Sequence, residues 1–165
     1  MVQGKTEKYF ALISSLVMAV VHSLPITLTL HGGCSLEERM LYPLFHVTWW
    51  HLAVNLWCFL SLVFLYGVRW RHLVLAYGAA VVFPTVLCPS PTMGLSGVCF
   101  ALMGLWASKV ERKKYYQIYI WGFIAFSALC GGTNTALHVW GFAIGCVLSY
   151  IGWMIRKCRK KLNIF

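Results

Sequence analysis

Six apolar stretches divide this chain, and every charged residue lies in the connections between them or at the two ends. They run over 10–30, 48–68, 72–88, 96–107, 115–130 and 136–155. Crossing about 30 Å of hydrocarbon takes roughly 20 apolar residues in a helix. Hydrocarbon also tolerates only segments whose backbone hydrogen bonds are satisfied internally. Of the 165 residues 60% are hydrophobic and 11% charged, and the acids are Glu7, Glu37, Glu38 and Glu111 alone. The pattern predicts an all-α polytopic membrane protein with six transmembrane helices, one domain over 1–165 and no separate soluble domain. Lys5 and Lys8 ahead of the first stretch resemble the start of a signal peptide. That run is long for a signal core, and no small-residue cleavage site stands out near His31-Gly32-Gly33, so it reads as a retained span.

A net charge of +10 raises the question of nucleic acid, and the positions of the cations answer it. Lys5 and Lys8 precede the first stretch, Arg69 and Arg71 follow the second, and Lys109, Arg112, Lys113 and Lys114 follow the fourth. Arg156, Lys157, Arg159, Lys160 and Lys161 follow the sixth. Only Arg39 falls on the other side, so thirteen of the fourteen Lys and Arg share one face of a six-span arrangement. Both termini are then cytoplasmic, and the basic face favours anionic lipid rather than nucleic acid. The seven cysteines form no Cys-x-x-Cys pair and read as small buried hydrophobes, with Cys34, Cys88 and Cys130 near the outer face.

Polar side chains inside the apolar stretches carry the chemistry. Ser96 lies in Gly94-Leu95-Ser96-Gly97 at the head of the fourth stretch, and His138 lies in the sixth with Gly141 and Gly145 beyond it. His46, His51 and Asn55 form a third cluster. A serine nucleophile needs a base, and hydrocarbon is a costly place for either group. Residues three or four apart share a helix face, which pairs His51 with Asn55, Ser96 with Phe100, and His138 with Gly141 and Gly145. Gly97, Ala101, Gly104 and Ser108 form a matching small-residue stripe, so the fourth and sixth helices are expected to pack closely and bring Ser96 and His138 within reach. Thirteen residues separate Ser96 from Lys109, about 20 Å of helix, which puts Ser96 roughly 10 Å below the outer surface. His51 and His138 count to a similar height, in a wet cavity open to the outside.

The residue inventory narrows the catalyst. With no Asp in the chain, neither an aspartyl dyad nor a Ser-His-Asp triad can form, and no Glu lies inside a stretch to complete a His-Glu-x-x-His zinc helix. Serine catalysis would run on a Ser-His dyad, with no metal and no cofactor. A bis-histidine haem site would leave the Gly94–Gly97 motif unexplained.

These motifs carry a family resemblance. His46-Val47-Thr48-Trp49-Trp50-His51-Leu52-Ala53-Val54-Asn55, Gly94-Leu95-Ser96-Gly97 and His138-Val139-Trp140-Gly141-Phe142-Ala143-Ile144-Gly145 resemble the three signature motifs of rhomboid intramembrane serine proteases. They come in the family's order, on the second, fourth and sixth spans, over about the whole chain. The resemblance is to the small bacterial type, and implies a multi-pass protein of the bacterial inner membrane. It implies Ser96 as nucleophile and His138 as general base. It also implies an oxyanion site of His51, Asn55 and the Ser96 backbone N–H with that of Leu95, and a structural role for His46. Three departures stand out. Glu38-Arg39 replaces a Trp-Arg pair, Phe100 replaces a Tyr beneath the catalytic histidine, and Met93 replaces a Gly.

The expected substrates are single-span membrane proteins, cut near the outer end of their helix through an acyl-enzyme; the alternative is a catalytically inactive relative that captures membrane helices. Substrate would enter between the second and fifth spans. Trp121 and Phe126 are the candidate gate residues, and Gly131-Gly132-Thr133-Asn134 is a flexible connection beyond them.

Overall fold

The computed structural model describes residues 5–129 and 133–161, with side chains as far as 159. Seven helices follow in order: α1 (Lys5–His22), α2 (Leu36–Leu41), α3 (Trp49–Leu65), α4 (Trp70–Val81), α5 (Ser96–Trp106), α6 (Lys113–Leu129) and α7 (Thr135–Lys161). Among the described residues the architecture is all-α, with no strand and a single isolated antiparallel bridge between Leu30 and Thr92.

Several boundaries differ from the apolar stretches. α1 ends at His22, short of 30, and Pro25 follows, which steers Leu24 away from helical geometry. α4 ends at Val81 rather than 88, three residues before Pro84. Its freed carbonyls find a partner in Arg39, whose guanidinium donates to Val81 O (3.2 Å), Phe83 O (2.8 Å) and Thr85 Oγ1 (3.3 Å). A cation at a helix C-terminus also opposes the helix dipole. α7 runs on into the basic tail instead of stopping at 155.

α2 lies outside all six stretches and is held by a capping box. Glu38 N–H donates to Ser35 Oγ (3.1 Å), and Ser35 N–H donates to the Glu38 carboxylate (2.7 Å). Hydrogen bonding to the carboxylate from the Ser35 backbone N–H, and then from its side chain, holds the exposed Glu38 carboxyl below the ordinary carboxylate range.

By length and hydropathy, α7 over Thr135–Arg159 can cross a bilayer alone. The pair Leu36–Leu44 and Trp49–Leu65, bent by 83°, passes the same test together. The other helices fall short for visible reasons. α1 carries Lys5, Glu7 and Lys8, α6 is 17 residues, and α4 and α5 are 12 and 11.

Backbone contact defines the core. α5 packs on α7 more extensively than any other pair does, and α4 and α3 close further sides of it. A Cβ on Gly145 would lie 2.2 Å from Ala101 O, one on Gly104 2.2 Å from Phe142 O, and one on Gly141 2.6 Å from Gly97 O. The small-residue stripes of both helices therefore meet as expected. Trp140 Nε1–H, on another side of α7, donates to Ala79 O of α4 (2.9 Å). α6 lies at the periphery with a lighter seam to α7. Outward faces are apolar, with Leu16, Trp57, Leu65, Tyr119 and Leu129 each at least two-thirds exposed.

Candidate active site

The segment 88–95 delivers Ser96 to the head of α5, and four contacts fix it. Leu30 and Thr92 exchange backbone bonds of 2.7 and 2.9 Å, Gly94 N–H donates to Tyr42 O (3.2 Å), and Leu95 N–H donates to His46 Nε2 (3.4 Å). Gly94 has φ +121°, in the region that side chains avoid. A Cβ there would also lie 2.9 Å from His51 Cε1 and 3.7 Å from Asn55 Nδ2. Gly94 is thus required twice: for its backbone angle, and to let the His51 and Asn55 side chains approach the chain two residues before Ser96.

α3 presents those two side chains from one face. Thr48 Oγ1 accepts the His51 N–H at the helix start (3.1 Å). Asn55 is buried, and its amide donates one N–H to His51 O (2.9 Å), leaving the other free. The Cys99 thiol reaches Asn55 O at 3.9 Å and ties this part of α3 to α5.

His138 is buried at the second turn of α7. Its ring stacks on Phe100, with centroids 4.4 Å apart and planes at 23°. Phe100 sits four residues beyond Ser96, on the same face of α5, so His138 lies along the face that carries the serine. Leu137 packs against Gly97, whose Cβ would lie 3.0 Å from Leu137 Cδ1. The stacking role of Phe100 survives the loss of a hydroxyl.

Ser127 of α6, which no sequence motif marks, meets that histidine at Nδ1. Its oxygen lies 2.7 Å from Ile124 O and 3.0 Å from His138 Nδ1; with the hydroxyl hydrogen on Ile124 O, that oxygen is an acceptor for Nδ1–H. In that arrangement the imidazole proton is on Nδ1 and Nε2 carries the lone pair that a general base needs. Ser96 is half-buried, and among the described residues neither its hydroxyl nor His138 Nε2 is engaged in a hydrogen bond.

Asn134 is a second residue that the motifs do not mark. It caps α7, accepting the Leu137 N–H on Oδ1 (3.0 Å). Its amide also donates to Thr92 Oγ1 (2.9 Å) and Cys88 Sγ (3.4 Å). The helix bearing His138 and the loop bearing Ser96 are thereby joined through one side chain.

The backbone donors differ from expectation at Leu95. Its N–H points to His46 Nε2 and so is occupied, because His46 is buried against that loop with its ring 5.2 Å from His51. Free donors lie one residue on. The first intrahelical bond of α5 runs from Cys99 N to Leu95 O, so the Ser96, Gly97 and Val98 N–H groups have no helical acceptor. An anion at Ser96 Oγ would meet the positive end of the helix.

Of the gate residues, Trp121 is 47% exposed and rests edge-on against Phe142 of α7 at 5.5 Å, while Phe126 is 62% exposed. α3 and α6 approach at their basic ends, where the Tyr66 and Tyr116 rings are 6.5 Å apart. Gly131 and Gly132 of the proposed flexible connection, and Cys130, lie outside the described residues. Among known proteins, no family model and no curated protein matches this chain.

Proposed function

We propose that this protein is a six-span serine endopeptidase of the rhomboid type, with Ser96 as nucleophile and His138 as base. The observation that carries the reading is the place of His138, stacked on Phe100 along the face of α5 that bears Ser96, with Nδ1 3.0 Å from the Ser127 hydroxyl; a proton held on Nδ1 by that contact leaves Nε2 as the base. The apolar outward faces of α1, α3 and α6 suit lipid contact, and α5 can be short because the other helices surround it. The one-sided distribution of Lys and Arg favours cytoplasmic termini.

In this mechanism Ser96 Oγ attacks a peptide carbonyl carbon as its proton passes to His138 Nε2. The oxyanion takes donors from the Ser96 N–H, the free Asn55 amide N–H and the His51 ring, the contribution that is usually largest. Collapse of the intermediate breaks the C–N bond, and His138 returns its proton to the leaving amine. Water, deprotonated by the same nitrogen, then frees the acyl group. A substrate helix hides its carbonyls in i to i−4 bonds, so it must unwind before attack.

The test is cleavage of a generic single-span substrate by purified protein in detergent, wild type beside Ser96→Ala and His138→Ala. Cleavage is expected in the wild type and in neither variant, since nucleophile and base act as a unit. Equal turnover by Ser96→Ala, with unchanged melting, overturns the serine mechanism. Because Ser96 and His138 share no hydrogen bond, a second reading is a catalytically inactive helix-capturing relative; it predicts substrate retention without cleavage by all three proteins.

A further inference from the structure

Towards the basic ends of α5, α6 and α7, far along α5 from Ser96, the three helices line an open pocket of about 250 Å³. Its polar lining is Ser108, Lys113, Gln117 and Ser149, and Gly104 and Cys146 form apolar wall. Each helix supplies its share by spacing. Lys113 and Gln117 are one turn apart on α6, as are Cys146 and Ser149 on α7. Ser149 is 6% exposed, and its hydroxyl meets that of Ser108 at 2.9 Å. Two hydroxyls bonded to one another retain one O–H to donate elsewhere.

We infer that this cavity binds the phosphate of an anionic phospholipid. The donor set is the Lys113 ammonium and Gln117 amide from the start of α6 and the spare hydroxyl of the Ser108–Ser149 pair, and no carboxylate is among the lining residues. Lys109 and Arg112 lie in the connection between α5 and α6, where Glu111 is the single acid, Lys114 follows in the first turn of α6, and Arg156 lies in the basic part of α7. Lys109 is already placed over the Trp106 ring, 4.2 Å from its centroid, whereas Lys113 is exposed and borders the cavity. A phosphate, with several acceptor oxygens and a negative charge, satisfies all three donor types at once.

The apolar flank selects an amphiphile over a free ion. Ile118, Val147 and Tyr150 adjoin the lining residues in sequence and are 58%, 51% and 61% exposed. They give an acyl chain exposed apolar helix surface beside the cavity. The lipid source rests on the membrane-spanning reading above, and is independent of the serine chemistry.

Native mass spectrometry of the detergent-solubilised full chain, with phosphatidylglycerol or phosphatidylcholine added, tests this directly. Wild type should retain one phosphatidylglycerol and no phosphatidylcholine. Lys113→Gln should weaken retention about tenfold or more, the usual scale of a charged hydrogen bond. Lys114→Gln removes the same charge from a residue outside the lining and should leave retention unchanged. Equal losses in both variants, or no retained lipid, overturn the inference. Displacement of the lipid by millimolar inorganic phosphate overturns the lipid source in favour of a soluble phosphate. Cleavage measured on the same samples separates the two proposals: lipid bound without cleavage fails the protease, and cleavage without bound lipid fails this site.

Discussion

The seam between α5 and α7 and the seam between α6 and α7 are built in opposite ways. Glycines at 104, 141 and 145 bring backbones into contact in the first, and any added carbon there meets a carbonyl oxygen. The second is light, with exposed Phe123 and Phe126 and one ring contact from Trp121 to Phe142. Yet the light seam supplies Ser127, the residue that orients His138. The tight seam sets the distance between Ser96 and His138, while the light one brings the Ser127 hydroxyl to His138 Nδ1. If α6 parts to admit a substrate, access and basicity change together.

The rigid seam is easiest to break. Gly145→Val would drive a side chain into Ala101 O, and overpacking of this kind costs about 1–3 kcal/mol or more. A large fall in melting temperature with loss of all activity is expected; wild-type melting would mean the helices do not touch there.

Ser127→Ala probes the light seam at its functional point. Losing the acceptor for Nδ1–H lets His138 adopt the other tautomer, and cleavage should drop about tenfold to a hundredfold, part of what a positioned base supplies. Ser127→Thr keeps the hydroxyl and should restore most of the rate. Equal rates in Ala and Thr variants, with unchanged melting, would remove Ser127 from the site.

Trp121→Ala and Phe126→Ala should separate. Trp121 loses an aromatic contact worth about 0.5–1.5 kcal/mol, so its variant should melt lower and cut transmembrane substrates faster. Phe126 is mostly exposed, and its variant should melt like the wild type. Identical behaviour of the two, in cleavage and in melting, would show that the seam is no gate.

The smallest effect belongs to α2. The Glu38 carboxyl lies below its unfolded value, so its cap stabilises α2 above the ordinary carboxylate range near 4 and is lost as pH falls through the folded value. Hydrogen exchange of the α2 amides should quicken in that acidic window, and Glu38→Gln should show no such step.

Much of the site was legible because its spacing is local. Gly94, Ser96, His51, Asn55, His138 and Gly141 each stand at one-turn intervals or in one tight loop, and helix period alone puts them on faces. Ser127 was hidden, since a serine bonded to its own helix is ordinary in an apolar segment, and its role depends on where α6 meets α7. Leu95 was misjudged for the same reason: the ring that takes its N–H lies 49 residues earlier. α2 and the α7 cap were readable and overlooked, for Ser35-x-x-Glu38 and Asn134 ahead of an apolar run are both helix-start signals. The early ends of α1 and α4 follow from Pro25 and Pro84, which hydropathy ignores.

Labelling with a fluorophosphonate followed by peptide mass mapping tests the Ser96–His138 pair most directly. One adduct is predicted, on Ser96 Oγ, strong in the wild type and lost in His138→Ala with the fold intact. An adduct that persists in Ser96→Ala, or a wild type that never labels while binding substrate, contradicts it.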